Sequence, residues 1–277
     1  TNNYIPMLSV VTDLVSVHGQ WFHKSADLCL VPTDLVRDQA IDHGLNPYKV
    51  HITGIPIHPD LARNRDRAVL RAEMGWRVDL TTVLVVGSKR VGNMEDMLRA
   101  LNHSGLPLQL IVITGGNDVL YQQLQDVAWH KEALIYNFVT NLPDMMHAAD
   151  FIMCKAGGLI VSESLACGLP LLLIDVLPGQ EVGNAEYVVQ HNAGELAPSP
   201  LDALEIMYHW LAHDSALLSE ISQQARKLGQ PRSAYTVADY VWAAAQQGPQ
   251  RRKERPKRKS RDLIALLDRY RVPWQRE

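Results

Sequence analysis

The residues best suited to chemistry lie between Cys154 and Asn184, in the order Lys155, Ala156-Gly157-Gly158, Glu163, Pro178-Gly179-Gln180-Glu181 and Asn184. Phe151 to Lys155 is an apolar run of strand length, and Ala156-Gly157-Gly158 supplies the φ freedom for a sharp turn into a helix starting near Leu159. Unpaired N–H groups at such a helix start favour an anion, and a diphosphate is the natural occupant. One turn on, Glu163 is an acid among Ile160, Val161, Leu165 and Ala166, and its carboxylate can accept the two hydroxyl hydrogen bonds that a ribose offers. Gly168-Leu169-Pro170 ends the helix, and Leu171 to Asp175 reads as the next strand. Pro178 to Glu181 then falls at that strand's carboxyl end, where open α/β sheets bind ligands, and Asn184 opens a further helix. Phosphate, ribose and sugar-hydroxyl partners in this order read as a nucleotide-sugar pocket. The bland alternative is an ordinary strand-turn-helix unit without a ligand.

The segments KAGGLIVSES, GLP, PGQE and the following GN are similar to the donor-binding half of the monogalactosyldiacylglycerol synthase and processive diacylglycerol glucosyltransferase group, relatives of the bacterial peptidoglycan N-acetylglucosaminyltransferase. Their order and spacing make the resemblance specific, and it extends over about residues 8 to 240 through TDL, HGQWFH, VPT and TGIPI near the amino terminus. It implies a GT-B fold, a UDP-sugar as substrate rather than a cofactor, and a diacylglycerol-type lipid acceptor. It also implies that Gly87, Ser88 and Gly92 lie against the donor phosphates, and that the backbone of Phe138-Val139 reads the uracil edge. Where the group often has a small residue after the glycine-serine turn, this chain has Lys89 and Arg90, which either bring positive charge to the pyrophosphate or mark an altered loop. The group's base sits on a glycine-histidine loop upstream of anything in this chain, so the earlier part of the amino-terminal domain is expected to be absent.

Composition sets the outer bounds. A chain of 277 residues, 47% apolar, is long enough for one large or two ordinary domains with proper cores. Cys29, Cys154 and Cys167 sit in apolar segments without CxxC spacing, which suits a reducing compartment better than a disulfide framework and does not suggest zinc. No run of 18 apolar residues is present and no signal peptide is visible, so the expected location is cytoplasmic and peripheral to a membrane. The chain totals −3, and because Arg251 to Arg261 holds eight basic residues and one acid, the remainder carries about −10. That acidic remainder, without an aromatic-basic platform, argues against nucleic acid.

The elements that must position the site alternate strand and helix. A short strand ending before Thr12-Asp13-Leu14, a second at Leu28 to Val31, a helix capped by Thr33 and stopped by Gly44, and a third strand at Val50 to Gly54 form residues 1–62, the end of an acceptor-side Rossmann-like domain. Residues 63–247 form the donor domain. It opens on a charged helix from Arg63 to Glu73, continues through strands at Thr81 to Gly87 and Leu108 to Ile113, and closes on helices at Pro200 to Leu228 and Ser233 to Gln247. This rhythm predicts an α/β, doubly wound parallel sheet with no internal repeat beyond it. The Gly87 turn is neither GxGxxG nor a P-loop, which argues against a nicotinamide cofactor. Residues 248–277 form a basic linker followed by an apolar stripe of Leu263, Leu266, Leu267 and Tyr270, either an anchor for anionic lipid through 251–261 or a solvated tail.

Asp13, His18 and His23 fall within eleven residues and admit a metal or acid/base reading, beside the plainer one of a hydrogen-bonded interdomain loop; His18 alone stays a candidate catalytic group. The transfer that the resemblance implies is an inverting displacement, and because no Asp-x-Asp pair occurs it is expected to need no metal. Two other readings remain at this level: a UDP-sugar epimerase, and a donor-binding subunit that acts only with a membrane-bound partner.

Overall fold

The computed structural model describes residues 3–87, 94–247 and 250–251. Strands β1 (Asn3–Tyr4), β2 (Leu8–Val10) and β3 (Leu28–Val31), helix α1 (Asp34–Asp42) and strand β4 (Val50–Ile52) open the chain. Helix α2 (Arg67–Glu73) leads into β5 (Thr81–Val86), α3 (Met94–His103), β6 (Leu108–Ile113), α4 (Asp118–Gln125) and β7 (Glu132–Tyr136). Then come α5 (Leu142–Ala148), β8 (Phe151–Lys155), α6 (Gly158–Cys167), β9 (Leu171–Asp175), α7 (Val182–Gln190) and β10 (Gly194–Leu196). Helices α8 (Pro200–Leu211), α9 (Ala216–Leu228) and α10 (Ser233–Gln246) and strand β11 (Gln250–Arg251) complete the described chain.

Strands β2, β3 and β4 form a three-stranded parallel sheet, and the larger sheet is six-stranded and parallel in the order β10-β9-β8-β5-β6-β7. From β5 the chain winds outward through β6 and β7, returns to β8 beside β5, and winds the other way. The doubly wound expectation holds, and the order reverses between β5 and β8. Outside the carboxyl ends of these two strands such a sheet leaves a crevice. Gly87, just after β5, and the glycine turn at Gly157-Gly158, just after β8, lie at those ends.

The central strands are apolar on both faces because helices cover both. Leu84, Ile111, Ile152, Leu171 and Leu173 turn to one face, with Met145 of α5, Val161 and Leu165 of α6 and Val188 of α7. Val83, Val85, Leu110, Phe151 and Leu172 turn to the other, with Met97 and Leu101 of α3 and Met207 and Trp210 of α8. Phe151 meets Trp210 edge-on at 5.5 Å between centroids, and the indole N–H donates to Glu195 at 2.8 Å.

Some elements differ from the sequence reading for local reasons. Pro6 lies in the gap between β1 and β2, where one weak strand was expected. The linker helix begins only at Arg67, because Asp66 caps it by accepting the Val69 N–H at 3.0 Å, while Pro59–Ala62 makes a separate 3-10 turn. Helix α4, which the sequence pattern carries to about Trp129, stops at Gln125. The stretch from Pro200 to Leu228 is two helices, since His213, Asp214 and Ser215 all take positive φ (51°, 56° and 61°), a conformation no L-residue helix continues through.

Candidate donor-binding cleft

Helix α6 starts at Gly158, with Gly157 as its extended cap (φ −70°, ψ 137°) and no side chain satisfying its first N–H groups. These free donors and the positive end of the helix dipole make an anion site in the crevice. The glycines serve a purpose other than the one expected of them. Gly157 is at negative φ and Gly158 is not among the positive-φ glycines, so φ freedom is not what they supply, and at Gly158 the requirement is space. A Cβ on Gly158 would lie 2.5 Å from the Thr12 carbonyl oxygen, and one on Gly157 3.3 Å from Lys155 Nζ. Gly87, across the crevice, is likewise crowded: its N–H donates to Ile113 at 2.8 Å, and a Cβ there would sit 2.6 Å from the Met94 methyl. Ser88 and Gly92, the other members of that turn, lie outside the described residues, as do Lys89 and Arg90.

Lys155, at the end of β8, pairs with Glu181, whose second oxygen accepts the Leu177 N–H at 3.0 Å. Glu181 is 7% exposed, and with both oxygens engaged it keeps spare lone pairs for a further donor. The chain reaches it through a turn at Leu177 to Gln180, closed by the Gln180 N–H donating to Leu177 at 3.2 Å, with Gly179 at φ 78° as a type II turn requires. Pro178, Gly179 and Gln180 are exposed, so the Gln180 amide stands in solvent at the mouth of the crevice.

Asn184 and Ala156 are structural partners of this arrangement. Asn184 is buried, accepts the Leu14 N–H at 3.0 Å and donates to the Ala156 carbonyl at 3.1 Å, bridging the amino-terminal lobe to the glycine turn. Ala156 is also buried, and its N–H donates to Asp175 at 2.9 Å. Gly183 completes the contact, since a Cβ there would come within 2.7 Å of Ser16 Oγ.

Glu163 lies on the flank of α6 facing the linker, where burial pushes its carboxyl up to about 7 and a hydrogen bond from the His58 backbone partly offsets the rise. A carboxyl so little solvated gains from any hydroxyl donor offered to it. Of the pair expected to read a base edge, Phe138 is 75% exposed while Val139 packs on the core, so the two split between solvent and interior.

The grouping of Asp13, His18 and His23 is not assembled. His18 Nδ1 accepts the Gln20 N–H and His23 Nδ1 the Ser25 N–H, each at 3.3 Å, as local caps of an exposed turn. Among the described residues no three His, Cys, Asp or Glu side chains gather to hold a metal. Asp13 belongs instead to the crevice: burial first, and then the Glu181 charge, raise its pKa. Thr12 and Leu14 on either side of it are clamped against α6 and Asn184. Sequence spacing tied Asp13 to the histidines; only the long-range contacts at Thr12 and Leu14 show where it sits. His58, whose backbone meets Glu163, was missed for the same reason.

Two family profiles match the chain, one described as monogalactosyldiacylglycerol (MGDG) synthase over residues 1–57 and one as the glycosyltransferase family 28 C-terminal domain over residues 82–200. A probable monogalactosyldiacylglycerol synthase 2, chloroplastic, of Oryza sativa subsp. japonica is 34% identical over 252 residues, covering 88% of this chain and 54% of that protein. The chain thus spans about half the length of the curated relatives it matches. Among solved structures, Acinetobacter baumannii MurG superposes with a TM-score of 0.61 at 20% identity, covering 86% of this chain and 67% of that one. Anabaena Alr3699/HepE in complex with UDP-glucose superposes with a TM-score of 0.56 at 15% identity, covering 86% and 72%.

Proposed function

We propose, from the chain's membership of the monogalactosyldiacylglycerol synthase group of GT-B glycosyltransferases, that it binds a UDP-sugar in the crevice between β5 and β8 and serves transfer of the hexose to a diacylglycerol-type lipid. The observation that carries this is the uncapped, glycine-crowded start of α6 beside Lys155, with the half-buried carboxyl of Glu163 one turn further on. The diphosphate meets the α6 N–H groups and Lys155. Glu163 takes the ribose hydroxyls, and Gln180 with Glu181 takes the sugar. The Anabaena neighbour, solved with UDP-glucose, supports this choice of ligand.

The reaction is an inverting displacement. The acceptor hydroxyl oxygen attacks the anomeric carbon, its proton passes to a base, and the bond to the diphosphate oxygen breaks with its electron pair leaving on the nucleotide. Charge then grows on that oxygen, where the α6 dipole and Lys155 are already oriented. We propose that no metal is required and that the protein works at a membrane surface without spanning it. Among the described residues no helix is long and apolar enough to cross a membrane.

A ribose-holding carboxylate acts on every uridine ligand, whereas a sugar-holding amide acts only when sugar is present. Glu163→Ala should weaken uridine diphosphate and the intact donor alike, by about 1.5–3 kcal/mol for a lost charged hydrogen bond. Gln180→Ala should weaken the intact donor only. Calorimetric titration of both variants with both ligands tests this, and the assignment fails if Gln180→Ala weakens uridine diphosphate as much as the donor.

A further inference from the structure

At the foot of α6, away from the glycine turn, the linker between the two sheets crosses the ends of α5 and α9 and leaves an open cleft of about 410 Å³. Its lining includes Arg63, Arg65 and Arg67 from the linker, Arg226 from the last turn of α9, His147 from α5 and Cys167 from α6. The nine-residue rise from Gly158 to Cys167 puts it roughly 13 Å along α6 from the anion site above. Buried Leu61 follows His58, the Glu163 partner, and precedes Arg63 in the linker.

The charges here do not balance. Arg63 pairs with Asp60 at 3.0 Å, Arg65 with Asp144 at 3.4 Å, and Arg67 and Arg71 share Asp150 at 2.8 and 2.7 Å, while Arg226 has no ion pair among the described residues. Five guanidinium groups thus face these three carboxylates and Glu163, one turn up α6, whose charge also reaches Cys167. The plain account is that Arg226, in the last turn of α9, answers the dipole there, worth a few tenths to one kcal/mol at an exposed site, and that the linker arginines are held by their carboxylates. That account leaves open why four guanidiniums border one cleft, and why His147 Nε2 is buried at its wall without a hydrogen-bond partner. Guanidinium forks from two sides of a cleft fit the oxygens of a phosphate.

We propose that this cleft is a second anion site, distinct from the donor crevice, which takes a phosphate group and thereby fastens the interlobe linker to the ends of α6 and α9. Arg63 and Arg226 are its two jaws, because neither holds a buried pair that the fold depends on. The test uses the whole chain with the donor crevice saturated by uridine diphosphate. Inorganic phosphate replaces chloride at constant ionic strength, and the melting temperature is followed. Phosphate should raise it, and Arg63→Ala with Arg226→Ala should weaken the apparent phosphate affinity about tenfold or more, as loss of charged hydrogen bonds implies. Lysine at both positions should restore part of the response, and the rise caused by uridine diphosphate should be the same in every variant. A second arm sediments the proteins with phosphatidylcholine vesicles containing or lacking phosphatidylinositol 4-phosphate. Loss of the lipid-phosphate-dependent fraction in the double variant identifies a headgroup as the source, and an unchanged fraction identifies free phosphate. The proposal is overturned if the wild-type chain shows no phosphate response beyond that of chloride, or if the alanine variant responds as the wild type does. Absence of a uridine diphosphate shift in any protein would count against the donor reading and leave this comparison intact.

Discussion

Glu163 carries the clearest consequence at the scale of one residue. Its carboxyl titrates at about 7 in the folded chain against an ordinary 4.5, because burial on α6 disfavours the charge more than the His58 backbone restores it. A carboxyl whose folded pKa is raised holds more protons folded than unfolded between those two values, so the stability it contributes falls as pH rises from about 4.5 to 7. Glu163→Gln, which cannot ionise, should therefore gain on the wild type in melting temperature across that window and hold the gain above it. Ribose binding runs the other way, since the ionised form is the better acceptor. Uridine, which has no phosphate to titrate, should bind the wild type more tightly from pH 5 to pH 8 and bind Glu163→Gln at one constant, weaker level. Parallel melting and calorimetric series at stepped pH check both. A pH-independent difference between the two proteins would mean that Glu163 does not titrate in this window.

At the scale of elements, the start of α6 is where the two lobes touch, and Gly158 is the point of contact. A methyl group there would lie 2.5 Å from the Thr12 carbonyl, and backbone on both sides leaves little room to yield. Gly158→Ala should cost about 1–3 kcal/mol, the usual range for overpacking, although alanine favours helices. Gly105→Ala, where an added Cβ meets nothing within 4 Å, should stay within about 0.5 kcal/mol of wild type. Chemical denaturation of the pair is the measurement, and equal stability of the two would remove the close contact from the account. Elements were legible in the sequence wherever periodicity and punctuation were local: β5, β8, α6 and β9 fall within a residue of their expected limits, and Thr33 caps α1 by accepting the Val36 N–H at 3.3 Å. The reasons behind them were less legible. The glycine pair was read as φ freedom, and the real constraint on Gly158 is a carbonyl 146 positions away in the chain. Asn184 was read as a donor contact, yet its amide is engaged 170 residues back at Leu14 and 28 back at Ala156. Such constraints belong to tertiary contacts, and no window of sequence contains them.

For the whole molecule, the two sheets are joined three times over. The linker runs beneath α6, Asn184 ties Leu14 to the glycine turn, and α10 crosses back so that Tyr240 stacks near His51 at 4.8 Å and β11 pairs with β1. The last described residues, Gln250 and Arg251, are therefore held on the amino-terminal lobe, the acceptor side of the proposed reaction. In sequence Arg251 opens the run to Arg261, with its eight basic residues and one acid, in a chain whose remainder is acidic. A run of that charge near an anionic leaflet is worth roughly 1 kcal/mol per cation, while the acidic body is repelled, so the protein should dock with its amino-terminal lobe toward lipid. Such attraction weakens as salt shortens the Debye length to about 10 Å at 0.1 M. Removing residues 249–277 should abolish sedimentation with vesicles rich in phosphatidylserine at low salt, and should leave uridine diphosphate affinity unchanged because α6 and Glu163 are untouched. Raising salt should release the whole chain as the truncation does. If the truncated chain sediments as well as the whole one, attachment lies on the lobes themselves and the basic run is a solvated tail.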